Sequence, residues 1–186
     1  MRHCGEVIKD VWLGIAGTFV PRARVPARLR LKLDRVAADR ALAEVEDASG
    51  RRAASAVTSR SHTCGVGAAL LAPAGARVGV DLVTVERVGE RHARAVLSDG
   101  EWMALSRYTE LRPSLAWALK EAAAKAGGDP HRSFPGELQI EAGPDRLRVR
   151  RSGSNDGEFV AGWGTIGPFL YAWVYRSALS RADGGS

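Results

Sequence analysis

The sequence predicts an α+β protein, because two β-rich stretches, each with one well-supported helix, lie on either side of residue 75. Three observations carry this. Val36, Ala37, Arg40, Ala41, Ala43 and Glu44 show mixed helical spacing among good helix formers, which predicts a helix over about 33–46. Pro113-Ser114 opens and Gly127-Gly128 closes a second helix. Short apolar runs bounded by turn residues surround both. No sequence repeat is visible, but the arrangement permits two pseudo-duplicated α/β lobes, 1–75 and 76–181, with 182–186 as a disordered tail.

In chain order, Val11 to Val20 reads as strand material around a Gly-rich bend; 21–32 alternates basic and apolar residues, and Pro21 and Pro26 argue against one long helix from its start. Asp47 to Gly50 ends the first helix, and 51–60 reads as a basic, small-residue connection. The apolar run Gly65 to Ala72 reads as a buried strand, and Pro73-Ala74-Gly75 turns it into the Gly79 strand, so 65–83 is expected to form a hairpin. Residues 84–97 hold a short helix, and Ser98-Asp99-Gly100-Glu101 is the cap and first turn of another. Beyond 138, Leu138–Ile140, Leu147–Arg150, Glu158–Trp163 and Phe169–Tyr175 read as strands.

The chain has 186 residues, enough for one good-sized core or two small lobes sharing one. Its 45% apolar and 26% charged content is that of a globular protein, and no stretch approaches the roughly 18 apolar residues of a membrane span. The start does not read as a signal peptide, so a cytoplasmic location is expected. Cys4 and Cys64 show no metal-type spacing. The formal charge of +6 fits either a solvated arginine-rich surface or a negatively charged partner. Neither a zinc finger nor a basic helix with interleaved aromatics stands out, so no nucleic-acid role is expected.

Two segments carry the chemistry. Val78 to Val83 reads as a strand that ends on Asp81, and Trp117 to Lys125 as a helix with Glu121 and Lys125 on one face. Two acids from separate elements can hold a hard, oxygen-seeking cation such as Mg²⁺, and a nearby lysine can hold a phosphate. Alone, each has an ordinary reading: a Gly-x-Asp turn, and a solvated helix face whose ion pair contributes ~0.3–0.5 kcal/mol. Their joint occurrence, in order, resembles the signature of the 4′-phosphopantetheinyl transferase superfamily. There a Gly-x-Asp strand precedes a Lys-Glu-Ala/Ser-x-x-Lys helix. Gly79 to Val88, followed by Arg91, Val96-Leu97-Ser98 and Glu101-Trp102, is similar to the holo-acyl-carrier-protein synthases. Ser61-His62-Thr63 resembles the Ser-His segment of the longer, surfactin-type members.

The resemblance implies the two-lobed transferase fold with the active site between the lobes. It implies transfer of 4′-phosphopantetheine from coenzyme A to a serine of an apo acyl, peptidyl or polyketide carrier protein, releasing 3′,5′-ADP, with Mg²⁺ or, as an alternative, Mn²⁺. In that reading Asp81 and Glu121 hold the metal and Glu121 is the candidate base. Lys125 meets the pyrophosphate, His62 with Ser61 meets the 3′-phosphate, and Lys120 reaches either the cofactor or solvent. Arg87 and Arg91 dock the carrier, and a monomer is expected because the extra N-terminal half stands in for a partner subunit. Two departures are plain. Val83 stands where the longer type has a second acid, and Lys32 to Arg40 only loosely matches that type's Arg/Lys-x-x-Asp segment. The rival reading is a non-catalytic relative that binds coenzyme A or a carrier protein. Trp117 is expected in the core, and His92 and His131 carry no assigned role.

Overall fold

A computed structural model of the chain describes residues 1–19, 26–108, 110–128, 135–143, 146–153 and 157–178. His131 and the 182–186 tail lie outside them, as does the side chain of Arg87. The first half contains β1 (Arg2–Ile8), β2 (Val11–Gly17), α1 (Ala27–Ser49), β3 (Ala56–Thr63) and β4 (Val66–Pro73). The second contains β5 (Arg77–Thr84), the short helices α2 (Glu90–Arg94) and α3 (Asp99–Ala104), then α4 (Arg112–Ala126). It ends with β6 (Leu138–Ala142), β7 (Leu147–Arg151), β8 (Phe159–Ile166) and β9 (Phe169–Arg176).

The strands form two antiparallel sheets, ordered β1-β2-β4-β3 and β5-β9-β8-β7-β6. Strand alternation sorts their side chains into layers. Leu13, Val66 and Leu70 of the first sheet meet Val80, Leu82 and Phe169 of the second in one shared core. The opposite face of the second sheet, with Val83, Ala172 and Val174, is covered by Leu115, Leu119 and Ala122 of α4. On the outer face of the first sheet, Ala16 and Ala69 pack against Ala41 of α1. The molecule is thus a mixed α+β stack, helix–sheet–sheet–helix, with β3 and β5 at neighbouring edges of the two sheets.

Those edges are joined by side chains rather than by a backbone ladder. The Val80 N–H donates to Ser59 Oγ at 3.0 Å, and the Leu82 N–H donates to Ser61 Oγ at 3.2 Å. Both hydroxyls sit on β3, so two N–H groups of β5 that no strand pairs are satisfied by serine.

Four expectations change. Helix α1 begins at Ala27, directly after Pro26, because a proline at the cap has no N–H to leave unpaired. Strand β1 escapes the apolar pattern because it is an edge strand, held by its ladder to β2. Part of the 51–60 connection is strand: β3 starts at Ala56. Finally, 65–83 is no hairpin. Strand β4 pairs with β2 and β3, whereas β5 pairs with β9, so the Pro73–Ala76 turn carries the chain from one sheet to the other. The α3 capping box forms as expected, with Ser98 and Glu101 bonding each other's backbone N–H.

Candidate active site

The site is built where α4 crosses β5. A Cβ placed on Gly79 would lie 1.8 Å from the carbonyl oxygen of Ala122, so only glycine lets the helix lie this close. That approach brings Lys125 over the strand. Its Nζ donates to the Val80 carbonyl at 3.0 Å and to Asp81 Oδ1 at 2.8 Å. Glu121, one turn earlier on α4, lies on the same helix face.

Across the seam, Ser61 Oγ donates to Asp81 Oδ1 at 2.8 Å while accepting from the Leu82 N–H. Its hydroxyl is therefore committed to orienting Asp81, which is buried at 7% exposure. His62 points to the other face of β3, toward α1, where its Nδ1 lies 3.8 Å from Asp34 Oδ2. Asp34 is held in turn by the Gly65 N–H at 2.6 Å.

Two cavities meet at His62. One, of about 430 Å³, is lined by Asp81, Glu121, Ser61, Trp117, Val88 and His92. The other, of about 690 Å³, is lined by Arg35, Asp39, Arg60, Ser59, His62 and Lys125. The first is a carboxylate cleft with an apolar wall. The second is rimmed by cations. Its Arg60 pairs with Asp39 at 2.6 Å, but both side chains are about half exposed or more, so the pair is weak and exchangeable.

Burial first, and the Asp81 carboxylate second, raise the Glu121 carboxyl above its ordinary range, with Lys125 opposing them. Glu121 has no hydrogen-bond partner among the described residues, and the bonds to Asp81 fall on Oδ1 alone. Two mutually repelling carboxylates, Asp81 buried and Glu121 partly so, present hard oxygens that fit a divalent cation of the Mg²⁺ type, which takes few protein ligands. Asp81 and Glu121 are the two carboxylates that line the smaller cavity, and no cluster of three or more His, Cys, Asp or Glu suited to a metal occurs among the described residues.

The structure therefore gathers Asp81, Glu121, Lys125, Ser61 and His62. It does not bring Lys120 to them. Lys120 is 1% exposed and paired with Glu101 at 2.9 Å, and burial lowers its pKa against the opposing pull of that glutamate. Arg91 is exposed on α2. Trp117 is both core and cleft: it packs against the α4 core and lines the smaller cavity. Reading the sequence missed His92 and Arg35. His92 had no partner in sequence, yet α2 places it in the cleft wall. Arg35 lies in the loosely matching 32–40 segment, which does line the cation-rimmed cavity.

Known proteins bear on this chain at two levels. No curated protein sequence matches it. Among solved structures, a holo-[acyl-carrier-protein] synthase from Thermotoga maritima aligns with TM-score 0.46 and 23% identity, over 54% of this chain and 62% of that one. An acyl carrier protein synthase from Mycobacterium tuberculosis aligns with TM-score 0.39 and 23% identity, over 53% of this chain and 94% of that one. Residues 77–161 match the family model described as the 4′-phosphopantetheinyl transferase superfamily. The resemblance read from Gly79, Asp81, Lys120, Glu121 and Lys125 is borne out there: the stretch that carries all five matches the model of the 4′-phosphopantetheinyl transferase superfamily.

Proposed function

We propose that this protein transfers the 4′-phosphopantetheine group of coenzyme A to a serine hydroxyl of an apo carrier protein and releases 3′,5′-ADP. The observation that carries the reading is the convergence of Asp81, Glu121 and Lys125 at one strand–helix crossing, between a cation-rimmed cavity and a carboxylate cleft. The larger cavity suits the phosphorylated adenosine end of coenzyme A, with Arg35, Arg60 and His62 facing the 3′-phosphate. Arg60 can exchange its exposed partner Asp39 for that anion. Lys125, at the border, faces a pyrophosphate oxygen. The pantetheine arm then runs along Val88 and Trp117.

In this account the serine oxygen forms a bond to the phosphorus that carries pantetheine, and the bridging P–O bond breaks. The electron pair leaves with 3′,5′-ADP, and the serine proton goes to Glu121. A carboxyl whose pKa is raised by burial is a better proton acceptor than an exposed one. Ser61 and Lys125 hold Asp81 in place, and Lys125 also offsets charge growing on the leaving phosphate. Mg²⁺, or Mn²⁺ in its place, held by Asp81 and Glu121, would supply charge neutralisation on the pyrophosphate. Arg91, exposed on α2, and Arg87 serve encounter with an acidic carrier. We place the protein in the cytoplasm as a monomer. No helix among the described residues is long and apolar enough to cross a membrane.

The test is intact-mass spectrometry of several apo carrier proteins incubated with this protein, coenzyme A and Mg²⁺, with an EDTA control. A gain of one phosphopantetheine that disappears with EDTA supports the proposal. No gain on any carrier, alongside measurable coenzyme A binding, points to the non-catalytic relative. Val83, where the longer type has an acid, favours that alternative.

A further inference from the structure

Lys120 is fully buried and is the largest such side chain described, although it sits beside Glu121 in the sequence. Its Nζ donates to the Val96 carbonyl and lies 2.9 Å from Glu101 Oε1. Glu101 Oε1 also accepts from the Ile140 N–H at 2.9 Å, and Oε2 accepts from the Ser98 N–H at 2.8 Å and the Ser98 hydroxyl at 3.0 Å. One charged pair thus ties together the turn after α2, the start of α3, strand β6 and α4.

A packing role alone does not account for this. Burying an ammonium and a carboxylate is costly, and Leu115 and Leu119 fill the neighbouring α4 positions with no charge at all. What the pair adds over a leucine is reach and direction, since it fixes the Val96 carbonyl and the Ile140 N–H at defined places against α4. The element so fixed matters to the cleft. Val88 and His92, just before and within α2, form one part of its lining, whereas Trp117 and Glu121 of α4 form another.

We infer that Lys120 is a positioning residue: through Glu101 and the Val96 carbonyl it holds the α2 wall of the cleft against α4 and so sets the gap into which the carrier serine must enter. The mechanical part stands on the geometry alone; the kinetic part rests on the transferase reading. The pair is not a ligand site, because every polar group in it is satisfied from within.

The test compares the parent with the double variant Lys120→Met/Glu101→Gln. Glutamine keeps an acceptor for the Ile140 N–H and turns its NH2 toward Ser98, and methionine fills the lysine stem; Glu101→Gln alone makes the same change at Ser98 with the tether to Val96 kept, so the difference between the two variants reads the tether. Hydrogen exchange over 88–97 is expected to quicken at least about tenfold, with β5 and β9 unaffected. KM for the carrier is expected to rise about tenfold with kcat within about threefold, and coenzyme A affinity within about twofold. Parent-like exchange in the folded double variant overturns the inference. So does a loss of coenzyme A affinity with exchange unaltered, which would make Lys120 a cofactor contact. If the double variant does not fold, graded denaturant exchange on the parent decides: α2, α3 and the Ile140 amide should open as one unit, and α2 opening while Ile140 stays protected overturns it. A parent that transfers nothing defeats the proposed function but leaves both exchange outcomes readable.

Discussion

In the first half of the molecule α1 crosses β2 at Gly14; in the second, α4 crosses β5 at Gly79. A Cβ on Gly14 would lie 2.7 Å from the Ala41 carbonyl oxygen, as one on Gly79 would lie 1.8 Å from that of Ala122. Each crossed strand also pairs with the last strand of its own half, β4 or β9. Counted along each strand and helix from these contacts, Ala16 takes the place of Asp81, Arg40 that of Glu121 and Glu44 that of Lys125. The backbone device is repeated and the charges are not. The reason lies in the edges. Strand β2 is flanked by β1 and β4, so Ala16 is sealed under Ala41 and Ala69. Strand β5 is an edge strand whose outer side faces the serines of β3, so Asp81 borders a cavity while its oxygen stays oriented. Close helix approach supplies the position, and an open edge makes it usable.

The sharpest way to break this contrast is to exchange its charged members. Asp81→Asn and Glu121→Gln are each expected to lower transfer by about 10²–10³-fold or more with the fold intact, read by intact mass and circular dichroism. Next in size come the crossings themselves. Gly79→Ala forces a methyl into the Ala122 carbonyl and is expected to cost about 3 kcal/mol, and Gly14→Ala about 2 kcal/mol, in denaturant melts. A parent-like melt for Gly79→Ala would mean that the helix does not lie on the strand as described. The seam is weaker: Ser59→Ala orphans the buried Val80 N–H, at about 1–2 kcal/mol.

A smaller effect has the opposite sign. A carboxyl raised in the folded state binds its proton more tightly folded than unfolded, so it destabilises increasingly as pH rises through the ordinary glutamate range toward the raised value. Without metal, Glu121→Gln should therefore melt higher than the parent at neutral pH, and the gap should close as the pH falls below that range. Smallest of all, Arg40→Ala removes a loose pair with Glu44 at 3.8 Å on the first crossing, and Glu44→Ala removes that pair together with the one to the exposed Arg2 at 3.1 Å. They are expected to change stability by under about 0.5 kcal/mol and transfer by less than about twofold. A large loss of transfer from either would give the first crossing a chemical role that this comparison denies it.

Much of the second half is legible in the sequence because its signals are local. The Ser98–Glu101 capping box, Pro113 near the start of α4 and the apolar runs of β6 to β9 each carry their own start and stop. The carboxylate pair is legible through the resemblance of its two motifs taken together, although Asp81 does not end its strand as expected: β5 runs on to Thr84, paired with β9 throughout. What local pattern does not contain is which strands pair. Nothing in 65–83 distinguishes a hairpin from a turn between stacked sheets, and that choice rests on β9, far along the chain. The same limit hides the role of Lys120. Its neighbour Glu121 suggested a place at the cofactor, whereas the partner that decides its position, Glu101, lies on another helix. Ser61 shows it once more: a motif residue expected at coenzyme A spends its hydroxyl on Asp81 and the β5 backbone.

The central claim is that the second crossing, with Asp81 and Glu121, is a divalent-cation site that works beside coenzyme A. Mn²⁺ is a spectroscopically visible stand-in for Mg²⁺. Its binding, followed by electron paramagnetic resonance with coenzyme A present, tests the claim most directly in the parent, Asp81→Asn and Glu121→Gln. The account predicts stoichiometric binding in the parent and its loss in both variants, with coenzyme A still bound through the first-half arginines and Lys125. Undiminished Mn²⁺ binding in both folded variants would contradict it.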